Sequence, residues 1–511
     1  METPAVYLPE DRRQAYARGQ ELPERADGSA LFADISGFTP LTEMLARALG
    51  PRRGAEELTR YLNGVYDTLI AELHRYGGSV ISFSGDAITC WFNGDDGRRA
   101  TATALAMQRA IARYAALPVA GGGTVALAMK AAVATGPVRR FVVGDPGYTL
   151  LDAAAGATLE RLATAEHHAG KGEVVLDAGT ARALQEHLHI VEWRRDEEFG
   201  YRFAVVEALT LSVPESPWPP LAPDALSEAQ VRPWLLPAVY QRLHTGSGEF
   251  LAELRPAVAL FLRFGGIDYD RDEAAPAKLD SFIQRVEQSL SRYSGSLLQL
   301  TIGDKGSYLY AAFGAPVAHE DDVERAAAAA LELRETAGAL PYLGALQIGL
   351  AYGRMRVGAY GSTVRRTYGV LGDAVNLAAR LMQAAGPGQI LVSDEIRTRG
   401  GADFVWEPLA PIQVKGKSEL VAIARLVRAA TRRAGSSLEV LFPSAPIGRQ
   451  ALQQTFQNCL ASLSAGQGQV VRLLGEAGMG KSHLAAHFCR LALAQGVRRA
   501  LGGAVHRQHA Q

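Results

Sequence analysis

The chain has 511 residues, 48% hydrophobic and 21% charged, which is enough for two or three domains with their own cores and is not the composition of a disordered protein. Fifty-three basic residues balance fifty-three acidic ones, so bulk charge recruits neither nucleic acid nor an anionic membrane. Three scattered cysteines (Cys90, Cys459, Cys489), no export signal and no apolar run of about 18 residues give the expectation of a cytoplasmic protein without membrane spans.

Residues 1–27 form an N-terminal extension with no assigned role. A first unit spans 28–210. Ala30–Ala33 reads as a short apolar strand, and Thr39 as the N-cap of a helix with Pro40 at its first position. Helical spacing continues over 58–76 until Gly77-Gly78 breaks it. Ser79–Phe83 and Ala87–Phe92 then read as strands joined by a tight Ser84-Gly85-Asp86 turn, a hairpin carrying Asp86 at its tip. A helix over 98–116, a strand over 125–133 and further alternation to Val206 predict an α+β sandwich.

Residues 211–250 read as a linker, since five prolines between Ser212 and Pro223 forbid a helix or a central strand. A second unit, 251–428, repeats the order: strand 257–264, helix 278–293, a hairpin around Asp304-Lys305-Gly306, helix 321–335 and strand 346–351. From 436 to 511 a third segment contains a helix, a predicted strand Val470–Leu474 and the loop Gly475-Glu-Ala-Gly478-Met-Gly480-Lys481-Ser482 ahead of an apolar helix over 484–493. That loop is a full Walker A pattern, in which backbone amides cradle phosphates, Lys481 reaches the terminal ones and Ser482 binds Mg²⁺. The segment is too short for a whole P-loop domain and is read as the incomplete start of one.

The two long units carry complementary chemistry. Phe32-Ala-Asp34-Ile35-Ser-Gly-Phe-Thr39 and Ser84-Gly-Asp86 in the first face Phe261-Leu-Arg263 and Gly303-Asp-Lys305 in the second, at offsets of 229 and 219 residues. One copy has acids where the other has bases, which points to a single shared site. Two carboxylates on neighbouring strands can hold hard cations such as Mg²⁺ and leave positions for water and phosphate oxygens. Either aspartate alone reads equally well as a turn or cap residue. Asn376 and Arg380, at i and i+4, share one face of a predicted helix.

These strings resemble the class III nucleotidyl cyclases: Phe32–Thr39 with Phe83–Asp86 their metal-binding half, and Tyr368-Gly-Val-Leu-Gly-Asp-Ala-Val-Asn376-Leu-Ala-Ala-Arg380 their transition-state half. The tandem order and the following P-loop resemble the soluble, bicarbonate-responsive adenylyl cyclases. The resemblance implies two ferredoxin-like βαββαβ halves packed head to tail as a pseudo-dimer, followed by the beginning of an α/β P-loop NTPase domain. It implies ATP as substrate, with two Mg²⁺ or Mn²⁺ ions held by Asp34, Asp86 and the Ile35 carbonyl. Asn376 would orient the ribose and Arg380 offset charge on the α-phosphate. Lys305 would recognise adenine together with a backbone group near Val370, and Lys130 would contact the triphosphate. Lys417 stands where a phosphate lysine occurs in related cyclases, and reads equally as a surface lysine.

This sequence also departs from the family pattern. Gly369 stands where adenylyl cyclases often carry Asp or Thr facing the adenine amino group. In the second, degenerate pocket, Gly156 and Glu160 stand opposite Asn376 and Arg380, so no metal site or phosphorane stabiliser remains there. That pocket is left for a regulatory ligand; bicarbonate is not indicated, because Ser82 replaces the expected lysine and Arg161 aligns only loosely with the expected arginine. The expected function is adenylate cyclase. The other readings kept open are a guanylate cyclase and a catalytically silent nucleotide sensor acting on the P-loop module.

Overall fold

The apolar alternation around Ala30–Ala33 belongs to a longer strand, β1 (Arg25–Ser36), whose middle is buried on both faces as befits a central strand. The computed structural model describes residues 3–119, 122–245, 253–303, 306–414, 420–430, 448–468, 470–474 and 481–495. They fall into one unit ending at Ala429 and another beginning at Ala430.

In the first half β1 is followed by β2 (Ser79–Ser84), β3 (Ala87–Asn93), β4 (Ala128–Val143), β5 (Leu151–Ala155), β6 (Val174–Asp177), β7 (Leu188–Arg195) and β8 (Arg202–Leu209). The sheet order is β2-β3-β1-β4-β6-β8-β7, with β5 paired to β4. The second half contributes β9 (Glu253–Phe264), β10 (Ser296–Gly303), β11 (Gly306–Phe313), β12 (Gln347–Gly361), β13 (Arg366–Leu371), β14 (Ile390–Ser393), β15 (Phe404–Ile412) and β16 (Val421–Ala429). Its order, β10-β11-β9-β12-β14-β16-β15 with β13 on β12, is the same. In each sheet one pairing is parallel, β4 with β6 and β12 with β14. These are two mixed sheets of one α+β design, as the repeated motifs predict.

Helices cover the sheets. In the first half α1 (Glu10–Ala17) is followed by α2 (Phe38–Arg75), α3 (Arg98–Ile111) and α4 (Ala157–His167); in the second are α5 (Ala275–Arg292), α6 (Asp322–Thr336) and α7 (Asp373–Ala384). Leu31, Ala33 and Ile35 pack with Leu41, Val65, Leu69 and Met107 of α2 and α3 on one side of the first sheet. Ala30, Trp91 and Val138 pack with Leu159 and Leu162 of α4 on the other.

Each half sends an arm into the other. Phe141 and Val143 of β4 and Ala153 and Ala155 of β5 join the core built around Phe282 and Val286 of α5. In return Tyr360 of β12 joins the first half's core and Leu371 packs against it. Polar contacts repeat the exchange. Gly144 N donates to Asp280 Oδ1 at 2.9 Å and Asp145 N to Glu287 Oε2 at 2.7 Å. On the opposite side Arg356 Nε donates to Thr59 Oγ1 at 2.7 Å, Gly361 N to Asn63 Oδ1 at 3.2 Å and Thr363 N to Asp67 Oδ1 at 2.7 Å.

Several expectations need correction. Thr39 is not the N-cap: α2 begins at Phe38 with Gly37 as cap, at φ 109°, in the left-handed region that favours glycine. A Cβ at Gly37 would also lie 2.5 Å from the Ala126 carbonyl oxygen. The helix then continues to Arg75 through a kink at Gly50. The strand expected over 125–133 is displaced to Ala128–Val143, because its distal part is the arm that crosses to the second half. The proline-rich stretch lies along the first half, with Trp218 Nε1 donating to the Gly78 carbonyl at 2.8 Å. Beyond it the chain is helical, and Val231, Leu235, Val239 and Leu243 are buried in the second half.

The unit beginning at Ala430 has two described helices, α8 (Gln450–Ser464) and α9 (Lys481–Ala494), joined through Phe456 and Phe488 with ring centroids 4.4 Å apart. The expected strand Val470–Leu474 is not formed. These residues have no strand partner among the described residues, and Val470 is almost wholly exposed, so apolar character alone does not make a strand there.

Candidate functional site

Asp34 lies near the end of β1, opposite Ala87 of β3 and Lys130 of β4. Asp86 occupies the turn between β2 and β3, as predicted, and its carbonyl accepts from Ile35 N at 3.3 Å, pinning the hairpin tip to β1. Tyr66 of α2 holds the same turn from behind, its hydroxyl donating to the Gly85 carbonyl at 3.0 Å. Asp34, Ile35 and Asp86 are thus one cluster built from two segments, the end of β1 and the β2–β3 turn.

Lost hydration raises the pKa of Asp34; Lys130 opposes that shift and Glu166 adds to it. Lost hydration in the cleft, and then the charge of Asp34, push Asp86 up to about 7. The donor set is hard oxygen, and Asp34 disfavours ionised Asp86, so a divalent cation held by both would relieve the pair. Among the described residues no group of three or more His, Cys, Asp or Glu could hold a metal. Two carboxylates, with carbonyl, water and phosphate oxygens completing the shell, still match what Mg²⁺ accepts.

Lys130 sits beside these acids. Its Nζ is 3.6 Å from Asp34 Oδ2 and is hydrogen-bonded to Glu166 Oε1 of α4. Burial opposes its charge, but Glu166 and then Asp34 outweigh that and raise its pKa.

Asn376 and Arg380 lie on α7, whose opposite face buries Ala374, Leu377, Ala378, Leu381 and Met382. Asn376 is exposed and Arg380 half-buried, and neither side chain makes a hydrogen bond or ion pair to a described residue. The helix lies close on β12 because position 349 is glycine: a Cβ there would come within 2.2 Å of the Ala378 carbonyl oxygen and 2.3 Å of Met382 N. The connection into α7 starts from Leu371, which packs against the first half's core.

Val370 is buried, and its carbonyl accepts from the Tyr310 hydroxyl at 3.2 Å. Lys305 and Lys417 lie outside the described residues, as do Gly475, Gly478 and Gly480; Lys481 and Ser482 open α9. Of the residues expected around a degenerate pocket, Arg263 stands beside Gly306, Ala157 N donates to Asp270 next to Gly156, and Glu160 is in the first turn of α4. Arg161 is taken by Asp177 at 2.8 Å and the Thr135 carbonyl at 2.9 Å. Ser82 lines a cavity of about 110 Å³ between the halves, together with Arg365 and Asp152.

Three participants escape sequence reading. Glu166 meets Lys130 only because α4 folds back over β4. Tyr360 and Arg356 reach the first half only because the β12 arm crosses. Arg356 is buried and stacks 5.6 Å from the Tyr360 ring centroid, with Nη1 left without a partner. Tyr360 pairs with Thr367 and its ring reaches diagonally to Gly369, so the glycine at 369 was the available signal.

Among the described residues no helix is long and apolar enough to cross a membrane. Residues 271–424 match the adenylate and guanylate cyclase catalytic domain. The chain is 24% identical over 394 residues to adenylate cyclase type 10 of Homo sapiens, covering 71% of this chain and 24% of that protein. The rat type 10 enzyme (Rattus norvegicus) gives 23% over 397 residues, with the same coverage. An adenylate cyclase of Mycobacterium tuberculosis (strain ATCC 25618 / H37Rv) is 31% identical over 196 residues, 37% of this chain and 44% of that one. The chain therefore spans about a quarter of the length of the type 10 enzymes. The similarity to those cyclases is distant, and over residues 271–424 it is to the adenylate and guanylate cyclase catalytic domain.

Proposed function

We propose that the chain is an adenylate cyclase that converts ATP to 3′,5′-cyclic AMP and pyrophosphate at one site between its two halves. The observation that carries this reading is the Asp34–Asp86 pair, joined through Ile35 and sitting where the arm leading to Asn376 and Arg380 enters the first half. Asp34, Asp86 and the Ile35 carbonyl would hold two Mg²⁺ or Mn²⁺ ions. When bound, such ions lower the pKa of the ribose 3′-hydroxyl and neutralise the departing phosphates.

The rest falls to side chains. The 3′ oxygen forms a bond to the α-phosphorus as the bond to the bridging oxygen of the β-phosphate breaks, and the hydroxyl proton is released. Asn376 orients the ribose so that this oxygen is in line, which converts binding into effective concentration. Arg380 offsets the charge that grows on the α-phosphate oxygens. Lys130 leaves Glu166 and Asp34 for the triphosphate, Lys417 adds a further phosphate contact, and Lys305 selects adenine. Under this reading residues 28–210 and 251–428 are the two halves and the segment from 436 is regulatory. Asp34→Ala and Arg380→Ala, each folded by circular dichroism, are expected to lose cyclic AMP formation; wild-type turnover in either would defeat the proposal.

A further inference from the structure

A phenol beside the carboxylates has no hydrogen-bond partner among the described residues. Tyr360 of β12 is 4% exposed, and its hydroxyl makes no hydrogen bond to a described residue. Burial, and then the charge of Asp86, raise its pKa, against the opposing effect of Arg356, so the group is a neutral O–H able to donate and accept. The hydroxyl oxygen is not among the fully buried atoms that lack a partner, so it stays open to solvent and is available to a ligand.

The ring is held firmly. Phe83 meets it edge-on at 5.8 Å, Tyr66 lies at 6.2 Å, and the Arg356 guanidinium braces it from 5.6 Å. It also fills the place of a missing side chain. A Cβ on Gly369 would lie 2.8 Å from Tyr360 Cε1 and 3.4 Å from its hydroxyl oxygen. Whatever a residue at 369 would offer a ligand is therefore offered by Tyr360 from the adjoining strand. Aromatic carbon with a single hydroxyl suits a flat heterocycle with a polar edge better than it suits a phosphate. Asp86, the proposed metal ligand at the phosphate end, is near enough to act on the phenol electrostatically.

We propose that the Tyr360 hydroxyl contacts the six-position of the purine of the bound nucleotide, in place of the side chain that Gly369 lacks. The inference rests on the nucleotide site proposed above. Tyr360 is then a purine-contacting residue. Because a hydroxyl can accept from a 6-amino group or donate to a 6-oxo group, it contributes recognition of the substituent without rejecting either base outright.

The test is a functional-group cycle read by binding, so that it does not depend on turnover. Affinities of wild type and Tyr360→Phe are measured calorimetrically, with Mg²⁺, for 3′-deoxy-ATP and for its counterpart lacking the 6-amino group; neither can close a 3′ ring. Wild type should prefer 3′-deoxy-ATP by roughly 3- to 10-fold, the worth of one neutral hydrogen bond, and Tyr360→Phe should show no preference. Equal preference in both proteins overturns the contact, because a merely structural tyrosine would weaken both ligands alike. Wild type that prefers 3′-deoxy-ATP but makes no cyclic AMP keeps the contact and removes the cyclase reading. Wild type that binds neither nucleotide overturns both.

Discussion

Lys130 Nζ stands 3.6 Å from Asp34 Oδ2, straight across the β1–β4 pairing, while it also bonds Glu166. A cation of the protein thus occupies the flank of the proposed metal site. Lys130→Met should tighten Mn²⁺ binding in the absence of nucleotide, since a competing positive charge has gone, and weaken ATP binding about 10-fold or more, since a phosphate partner has gone. Manganese titration by electron paramagnetic resonance, with and without ATP, reads both effects. A parallel loss of both affinities would mean that Lys130 only supports the fold.

Gly349→Ala tests how far the position of α7 matters. The added methyl would meet backbone at 2.2 and 2.3 Å, so the helix carrying Asn376 and Arg380 must move. A displacement of about 1 Å can cost on the order of 100-fold in rate. We expect kcat to fall at least 10-fold in a variant that remains folded, as measured by initial rates and circular dichroism.

A buried charge network ties the N-terminal segment to the interface. Asp152 accepts from Arg12 Nε at 2.9 Å and Arg140 Nη2 at 2.6 Å, and Arg140 also bonds Asp11. Burial opposes ionised Asp152, but the two guanidinium groups prevail and lower its pKa. Asp152→Asn leaves two buried cations short of charge and should destabilise the protein by about 3–5 kcal/mol in urea unfolding.

Glu287 supplies a pH dependence. Burial, and then the charges of Asp145 and Asp280, push it up to about 8 despite its hydrogen bond from Asp145 N. The folded protein thus keeps a proton that the unfolded chain releases near the ordinary value of 4.5. Stability contributed at this position falls as pH rises from about 4.5 to about 8. Glu287→Gln, which keeps an acceptor for Asp145 N, should flatten that part of the melting temperature against pH; an unchanged slope would exclude Glu287 as its source.

The sequence made the local features legible. The hairpin tip at Asp86, the repeated element order and the shared face of Asn376 and Arg380 all follow from turn residues and periodicity, which act over a few positions. What it hid is long-range. The bonds from Lys130 to Glu166, from Arg140 to Asp11 and from Asp145 to Glu287 depend on which surfaces meet. Even the start of α2 was set by tertiary packing: Gly37 lies against Ala126, and that close approach decides the cap over the intrinsic preference of Thr39.

The most direct test of the shared site is cyclic nucleotide formation by the purified chain with Mn²⁺ and either ATP or GTP, run beside Asp86→Ala. The account predicts cyclic AMP from wild type, in excess of cyclic GMP, and none from Asp86→Ala. Equal cyclic AMP from both proteins, or no product from wild type despite nucleotide binding, would contradict it.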